Sequence, residues 1–263
     1  MAHSHEHHHE HVHELTSLNK SFIIGITLNI LFVLVEFGIG FYYDSLGLLS
    51  DAGHNLGDVA SLVLAMLAFR LAKVHPNSRY TYGYKKSTVL VSLLNAVILL
   101  VAVGIIITES IEKLFHPVPV EGAAIAWTAG VGVVINAVTA WLFMKDKEKD
   151  LNVKGAYLHM AADTLVSVGV VISGIIIMYT GWTLVDPIIG LVIAVIIVIS
   201  TWSLLHDSLR LSLDGVPVEI DSEKIGRVIL EQPGVESYHH LHIWALSTTE
   251  TALTAHIVIG DLR

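Results

Sequence analysis

Two pairs of residues in this chain have the types and spacing to hold a metal ion. His54 and Asp58 lie four apart in Leu48–Leu49–Ser50–Asp51–Ala52–Gly53–His54–Asn55–Leu56–Gly57–Asp58, and His159–Met160–Ala161–Ala162–Asp163 repeats the spelling. Residues four apart on an α-helix share a face, one turn from each other. Each pair aims an imidazole and a carboxylate at one point. Together they offer the four nitrogen and oxygen ligands of a closed tetrahedral zinc site. The plainer reading is a hydrogen bond within each helix, but that leaves two Asp residues buried at a cost the shared site avoids. Asp51, three residues before His54, is either an acceptor that orients a ligand histidine or the N-terminal cap of a broken helix.

Neutral imidazole and carboxylate suit Zn2+, whereas an all-oxygen set would favour harder ions such as Mn2+. Ligand type leaves the choice among Zn2+, Cd2+, Co2+ and Fe2+ open, because geometry decides it. Ligands must shed protons to bind metal, so metal and protons compete for one site. His titrates near neutrality, which makes the exchange feasible in a cell. Opened alternately to two sides of a membrane, such a site predicts a metal/proton antiporter. The rival expectation is a membrane-embedded metal sensor that binds without transporting. No enzyme activity is expected: an intramembrane metallohydrolase needs a Glu beside the metal, and neither pair contains one.

The elements that position these residues are read from composition and hydropathy. The chain has 263 residues, 53% of them hydrophobic and 15% charged, and its mean hydropathy is +0.66. A soluble domain is usually about 25% charged, so the deficit predicts a membrane protein. The net charge of −9 argues against nucleic acid as a partner. The chain has no cysteine, which excludes disulfides and thiolate metal sites. Residues 1–14 are mostly His and Glu, a composition that binds metals. Two H-E-x-x-H matches there, from His5 and from His9, are expected by chance in such a tract.

Six apolar segments, at about 22–42, 46–70, 87–109, 122–144, 154–179 and 184–206, approach the roughly 20 residues that span a bilayer. The connection after the second carries Arg70, Lys73, Arg79, Lys85 and Lys86, and that after the fourth carries Lys145, Lys147, Lys149 and Lys154. The positive-inside rule places these connections and both termini in the cytoplasm. Polar residues inside spans are functional candidates. Asn29, Glu36, Asn95, Glu109 and Asn136 are weaker ones that also fit bonding between helices. His159 reaches the depth of His54 only if its helix extends towards the cytosol, into Leu151–Lys154.

The remainder mixes polar and apolar residues. Glu219–Leu230 has helical spacing, and Ser237–Leu246 and Thr251–Ile259 alternate as strands. This predicts a small soluble α+β unit. In a regular strand His240 and His242 share a face and His239 points away. With His256 on the second strand, these are either a cytosolic metal site or ordinary surface histidines.

The chain resembles the cation diffusion facilitators, zinc/proton antiporters, and the bacterial zinc/cadmium/cobalt efflux members in particular. The likeness rests on Ser50–Asp51–Ala52–Gly53–His54 with Asp58, on Leu151–Asn152–Val153–Lys154–Gly155–Ala156–Tyr157–Leu158–His159 with Asp163, and on Leu213–Asp214–Gly215–Val216–Pro217. Pro233–Gly234–Val235 and His240–Leu241–His242–Ile243–Trp244–Ala245–Leu246 complete it. The resemblance implies a homodimer in the bacterial inner membrane. It implies a six-helix transmembrane all-α bundle over 21–208 behind a His-rich cytosolic tail at 1–20. A cytosolic α+β domain of ferredoxin-like type follows at 209–263 and is expected to be truncated. His54, Asp58, His159 and Asp163 are implied to form the transport site, with His at the first position the pattern associated with zinc over cadmium. Lys86 and Asp214 match a pair near the dimer interface, Lys85 being as close in sequence. The family usually supplies a further ligand beyond this point, so whether a cytosolic site on His240 and His256 is complete stays open in the sequence. Only His75 stands in the connection after span two, so no second site is expected there.

Overall fold

The computed structural model describes residues 8–42, 46–116, 123–182 and 184–260. Six long helices come first: α1 (His8–Tyr42), α2 (Leu46–Ala72), α3 (Ser87–Phe115), α4 (Ala123–Met144), α5 (Leu151–Thr180) and α6 (Val185–Ser212). They are followed by α7 (Ser222–Leu230), β1 (Val235–Ala245) and β2 (Thr251–Ile259). Among the described residues, four stretches are long and apolar enough to cross a membrane: Lys20–Ile39, Asn55–Ala72, Ser87–Phe115 and Pro187–Ser212. Gly130–Met144 in α4 is a shorter apolar stretch. The backbone from His8 onward already belongs to α1, so this part of the His-rich stretch continues the first helix.

The long helices pair α1 with α2, α3 with α6 and α4 with α5, and α5 also lies against α2, α3 and α6. One apolar cluster joins Phe22 and Val33 of α1, Leu62 and Phe69 of α2, Phe143 of α4 and Met160 of α5. A second joins Leu99 and Val103 of α3, Ala162 of α5 and Ile193 and Ile197 of α6. Between them lie buried polar contacts. Asn29 Nδ2 donates to Thr139 Oγ1 across α1 and α4 at 3.3 Å, and Ser92 and Ser208 join α3 and α6 at 2.8 Å. The outer faces carry large apolar side chains, among them Leu34 and Phe41 of α1, Val101 and Ile105 of α3, and Ile199 and Trp202 of α6. Apolar residues outside and polar residues inside are what a bilayer solvent selects, because helices satisfy their own backbones and polar side chains find partners only within the bundle.

The C-terminal unit contains, among the described residues, one helix and one two-stranded antiparallel sheet. Asp221 starts α7 as its cap, its Oδ1 accepting from the amides of Glu223 at 3.0 Å and Lys224 at 3.2 Å. α7 lies directly on β1: a Cβ added at Gly226 would sit 2.0 Å from the Tyr238 hydroxyl. The ladder runs from Val235↔Ile259 to Ala245↔Thr251 and breaks between His239 and His242. His240 stands inside that break with a left-handed φ of 51°.

This unit is fastened to the start of α3 and the end of α6. Val89, Leu211 and Ala245 form a small buried cluster with Leu151 against it. Lys86 Nζ donates to Asp214 Oδ1 at 2.6 Å, to the Leu211 carbonyl at 2.7 Å and to the Ala245 carbonyl at 3.1 Å.

Candidate metal centre

The bundle brings Asp58 on α2 together with His159 and Asp163 on α5. His159 Nε2 lies 2.7 Å from Asp58 Oδ1 and 3.9 Å from Asp163 Oδ2. One nitrogen and two carboxylate oxygens of these residues all lie within 4.8 Å of one another. Asp58 and His159 are buried, at 2% and 7% exposure. His159 is thus closer to the carboxylate of the other helix than to its own helical neighbour, so the pairing runs between helices. The remaining oxygen of Asp58, Oδ2, is buried and has no hydrogen-bond partner among the described residues.

Local sequence explains the meeting. Asp150 caps α5, and the helix therefore starts at Leu151, eight residues before His159. Those residues place His159 about 12 Å along the axis from the start of the helix, level with Asp58. Ala52, Ala65, Ala156 and Ala162 are buried small residues on α2 and α5 and allow a close approach there. His54 occupies α2 one turn before Asp58, on the same face of the helix. The side chains of His54 and Asp51 lie outside the described residues.

Polar groups surround the three ligands. Asn55 Nδ2 donates to Glu36 Oε2 at 2.7 Å, and both are buried, with Asn55 one turn from Asp58. Towards the start of α5, Ser61, Asn95, Gly155 and His159 line a cavity of about 10 Å³, roughly the room one water needs. Serine at 61 carried no distinguishing signal in the sequence, since isolated serines are common in apolar helices.

The C-terminal histidines group differently from the regular-strand expectation. His239, His240 and His256 stand together, with ring centroids 5.0 to 5.2 Å apart, while His242 pairs with Thr254 outside the group. The break after His239 is the cause: it turns His240 to the side His239 occupies. All three are exposed and close enough to share a cation. Lys86, not Lys85, bonds to Asp214; Lys85 pairs with Glu250.

The chain is similar to known proteins over most of its length. The description "Cation efflux transmembrane domain" matches residues 22–211, and "Cation efflux protein, cytoplasmic domain" matches residues 217–263. The zinc transporter ZitB of Escherichia coli is 38% identical over 98% of this chain and 83% of that protein. The cadmium, cobalt and zinc/H(+)-K(+) antiporter of Bacillus subtilis is 36% identical over 88% of this chain and 75% of its own length. The metal cation efflux system protein CzcD of Cupriavidus metallidurans is 37% identical over 91% and 76%.

Proposed function

The chain belongs to the cation efflux family, and from that premise we propose that it is a proton-coupled antiporter exporting Zn2+ from the cytosol. It does so through six spanning helices of the inner membrane, with both termini inside and two copies forming the working unit. His54, Asp58, His159 and Asp163 hold the ion. The observation that carries this reading is the Asp58–His159–Asp163 group buried between α2 and α5. The names of the relatives support zinc as cargo and cadmium and cobalt as further candidates.

The chemistry follows from two atoms. At 2.7 Å, His159 Nε2 and Asp58 Oδ1 share a proton. Zn2+ coordinated by the same nitrogen and oxygen must displace that proton, so the site holds metal or the shared proton, never both. Opening the site to the cytosol lets zinc replace protons; opening it outward, where acid is more plentiful, lets protons replace zinc. Alternating access then turns the competition into counter-transport. Glu36 and Asn55, hydrogen-bonded to each other beside the ligands, keep the neighbouring polar groups of α1 and α2 satisfied while the charge at the site changes.

Zinc uptake into inverted membrane vesicles tests the proposal. A transmembrane proton gradient drives uptake with the native chain, and His54→Ala, Asp58→Ala, His159→Ala and Asp163→Ala each abolish it. Intact uptake with both His54→Ala and Asp163→Ala rules the four-ligand site out. The exposed group His239, His240 and His256 favours one second reading, a metal sensor. That reading expects the same vesicles to bind zinc without moving protons.

A further inference from the structure

The helix that carries His159 and Asp163 is held at its inner end by the C-terminal unit. Asp150 is 4% exposed. Its Oδ1 accepts from the amides of Asn152 at 2.7 Å and Val153 at 3.3 Å, which starts α5. Its Oδ2 accepts from the hydroxyl of Thr248, in the turn between β1 and β2. The Thr248 amide donates to Thr88 Oγ1 on α3 at 3.1 Å. Asn152 Nδ2 returns from α5 to the Thr88 carbonyl at 3.0 Å, and Lys85 pairs with Glu250 beside them. Segments far apart in sequence meet at one buried carboxylate.

The turn is stiff enough to transmit position. Ser247 Oγ accepts from the amides of Thr249 at 3.1 Å and Glu250 at 2.9 Å, and the Leu246 amide donates to the Glu250 carbonyl at 2.8 Å. Ser247 is buried. On the other side, α5 is continuous from Leu151 through His159. A shift or rotation at Asp150 therefore reaches the ligand, about 13 Å along the axis, without a hinge between them.

We propose that Asp150 and Thr248 are a positioning pair that ties α5 to the cytoplasmic domain, so that the seating of the β1–β2 turn sets where His159 and Asp163 stand. The inference rests on the transport reading above. Neither residue touches the metal; both act through the helix. Burial pushes the Asp150 carboxyl up from its ordinary value while its donors pull it down, so this carboxylate depends on each donor it has.

Thr248→Val keeps the shape of the side chain and the α5 cap but removes the hydroxyl donor, and Thr248→Ser restores it. Two measurements on the full chain in proteoliposomes decide the matter. Amide exchange in the first two turns of α5 is expected to quicken in Thr248→Val and return to the native rate in Thr248→Ser. The KM for zinc is expected to rise about fivefold in Thr248→Val, at unchanged maximal rate per folded transporter, the scale of one lost hydrogen bond. Unchanged exchange shows that the turn does not hold α5 and overturns the inference whatever transport does. Quicker exchange with native KM shows a tie that does not reach the site and overturns it equally. A loss confined to the amount of folded protein reduces Thr248 to packing and overturns it as well. A native chain that moves no zinc removes the transport reading first and this inference with it.

Discussion

His159 and Asp58 were legible in the sequence because chemistry restricts what an apolar helix tolerates. A His and an Asp four apart, spelled twice, stand out against leucine, valine and alanine. Their contact across helices was expected, and it is found at 2.7 Å. The role of His239 was not legible, because alternation assumes an unbroken strand and the break between His239 and His242 lies in the pairing rather than in the spelling. The grouping gives a prediction at this scale. In an Asp58→Ala, Asp163→Ala chain, where the C-terminal histidines remain to bind strongly, His239→Ala weakens zinc binding at least about tenfold by analogy with lost support at metal sites. His242→Ala leaves it unchanged. Calorimetric titration reads both, and equal effects would show that the three-histidine group does not act as a unit.

Element by element, the helices and strands after α1 fall close to their expected places, since each is a run of one hydrophobic pattern ended by Pro, Gly or charge, whereas α1 begins at His8 instead of near residue 22. α3 and α6 are longer than expected, reaching Phe115 and Ser212, because the polar residues at their ends still continue the helix once a neighbour packs there. Asp150 decides the start of α5. It precedes an apolar run, as a cap does, but its link to Thr248 had no sequence signal, the two being almost a hundred residues apart. Its environment makes a pH prediction. Burial raises the carboxyl above 3.8 in the folded chain, against hydrogen bonds that lower it. A raised folded value means stability fully present below the unfolded value of 3.8 and lost as pH rises through the higher folded one. Asn at this position keeps an acceptor for the two amides without the charge. The melting temperature of Asp150→Asn relative to the native chain should therefore be higher at pH 7 than at pH 4. An offset that does not change with pH would mean that the buried charge is not what the junction bears.

For the molecule as a whole, composition alone pointed to a membrane, and the bundle agrees by turning Leu34, Val101 and Ile199 outward and Asn29, Ser92 and Glu36 inward. What composition could not supply was the arrangement: α5 contacts α2, α3, α4 and α6, so the helix that carries His159 and Asp163 is also the most enclosed. The packing of one helix against four others depends on the small residues that let them approach, which hydropathy does not register. The N-terminal histidines give a prediction at this scale, on the proposal that they raise zinc locally rather than bind it at a fixed position. Deleting residues 2–13 should weaken zinc transport at low zinc and leave the rate at saturating zinc intact. Loss of transport at saturation would instead make the stretch part of the transport site. Vesicle uptake over a range of zinc concentrations separates the two.

Under the proposed antiport, the hydrogen bond between His159 and Asp58 also bears on leakage. An empty carrier with unpaired ligands would have to carry isolated charge through a medium of low dielectric, at a cost of several kcal/mol per ion. A histidine and a carboxylate that satisfy each other make the unloaded return stroke passable while protons are aboard. With neither protons nor metal, the two carboxylates near His159 repel each other and the stroke stalls. In the proposed antiport cycle the pair acts as a clutch: it engages the gradient on every turn, and it keeps the cell from leaking protons without moving an ion or losing zinc back along the same route.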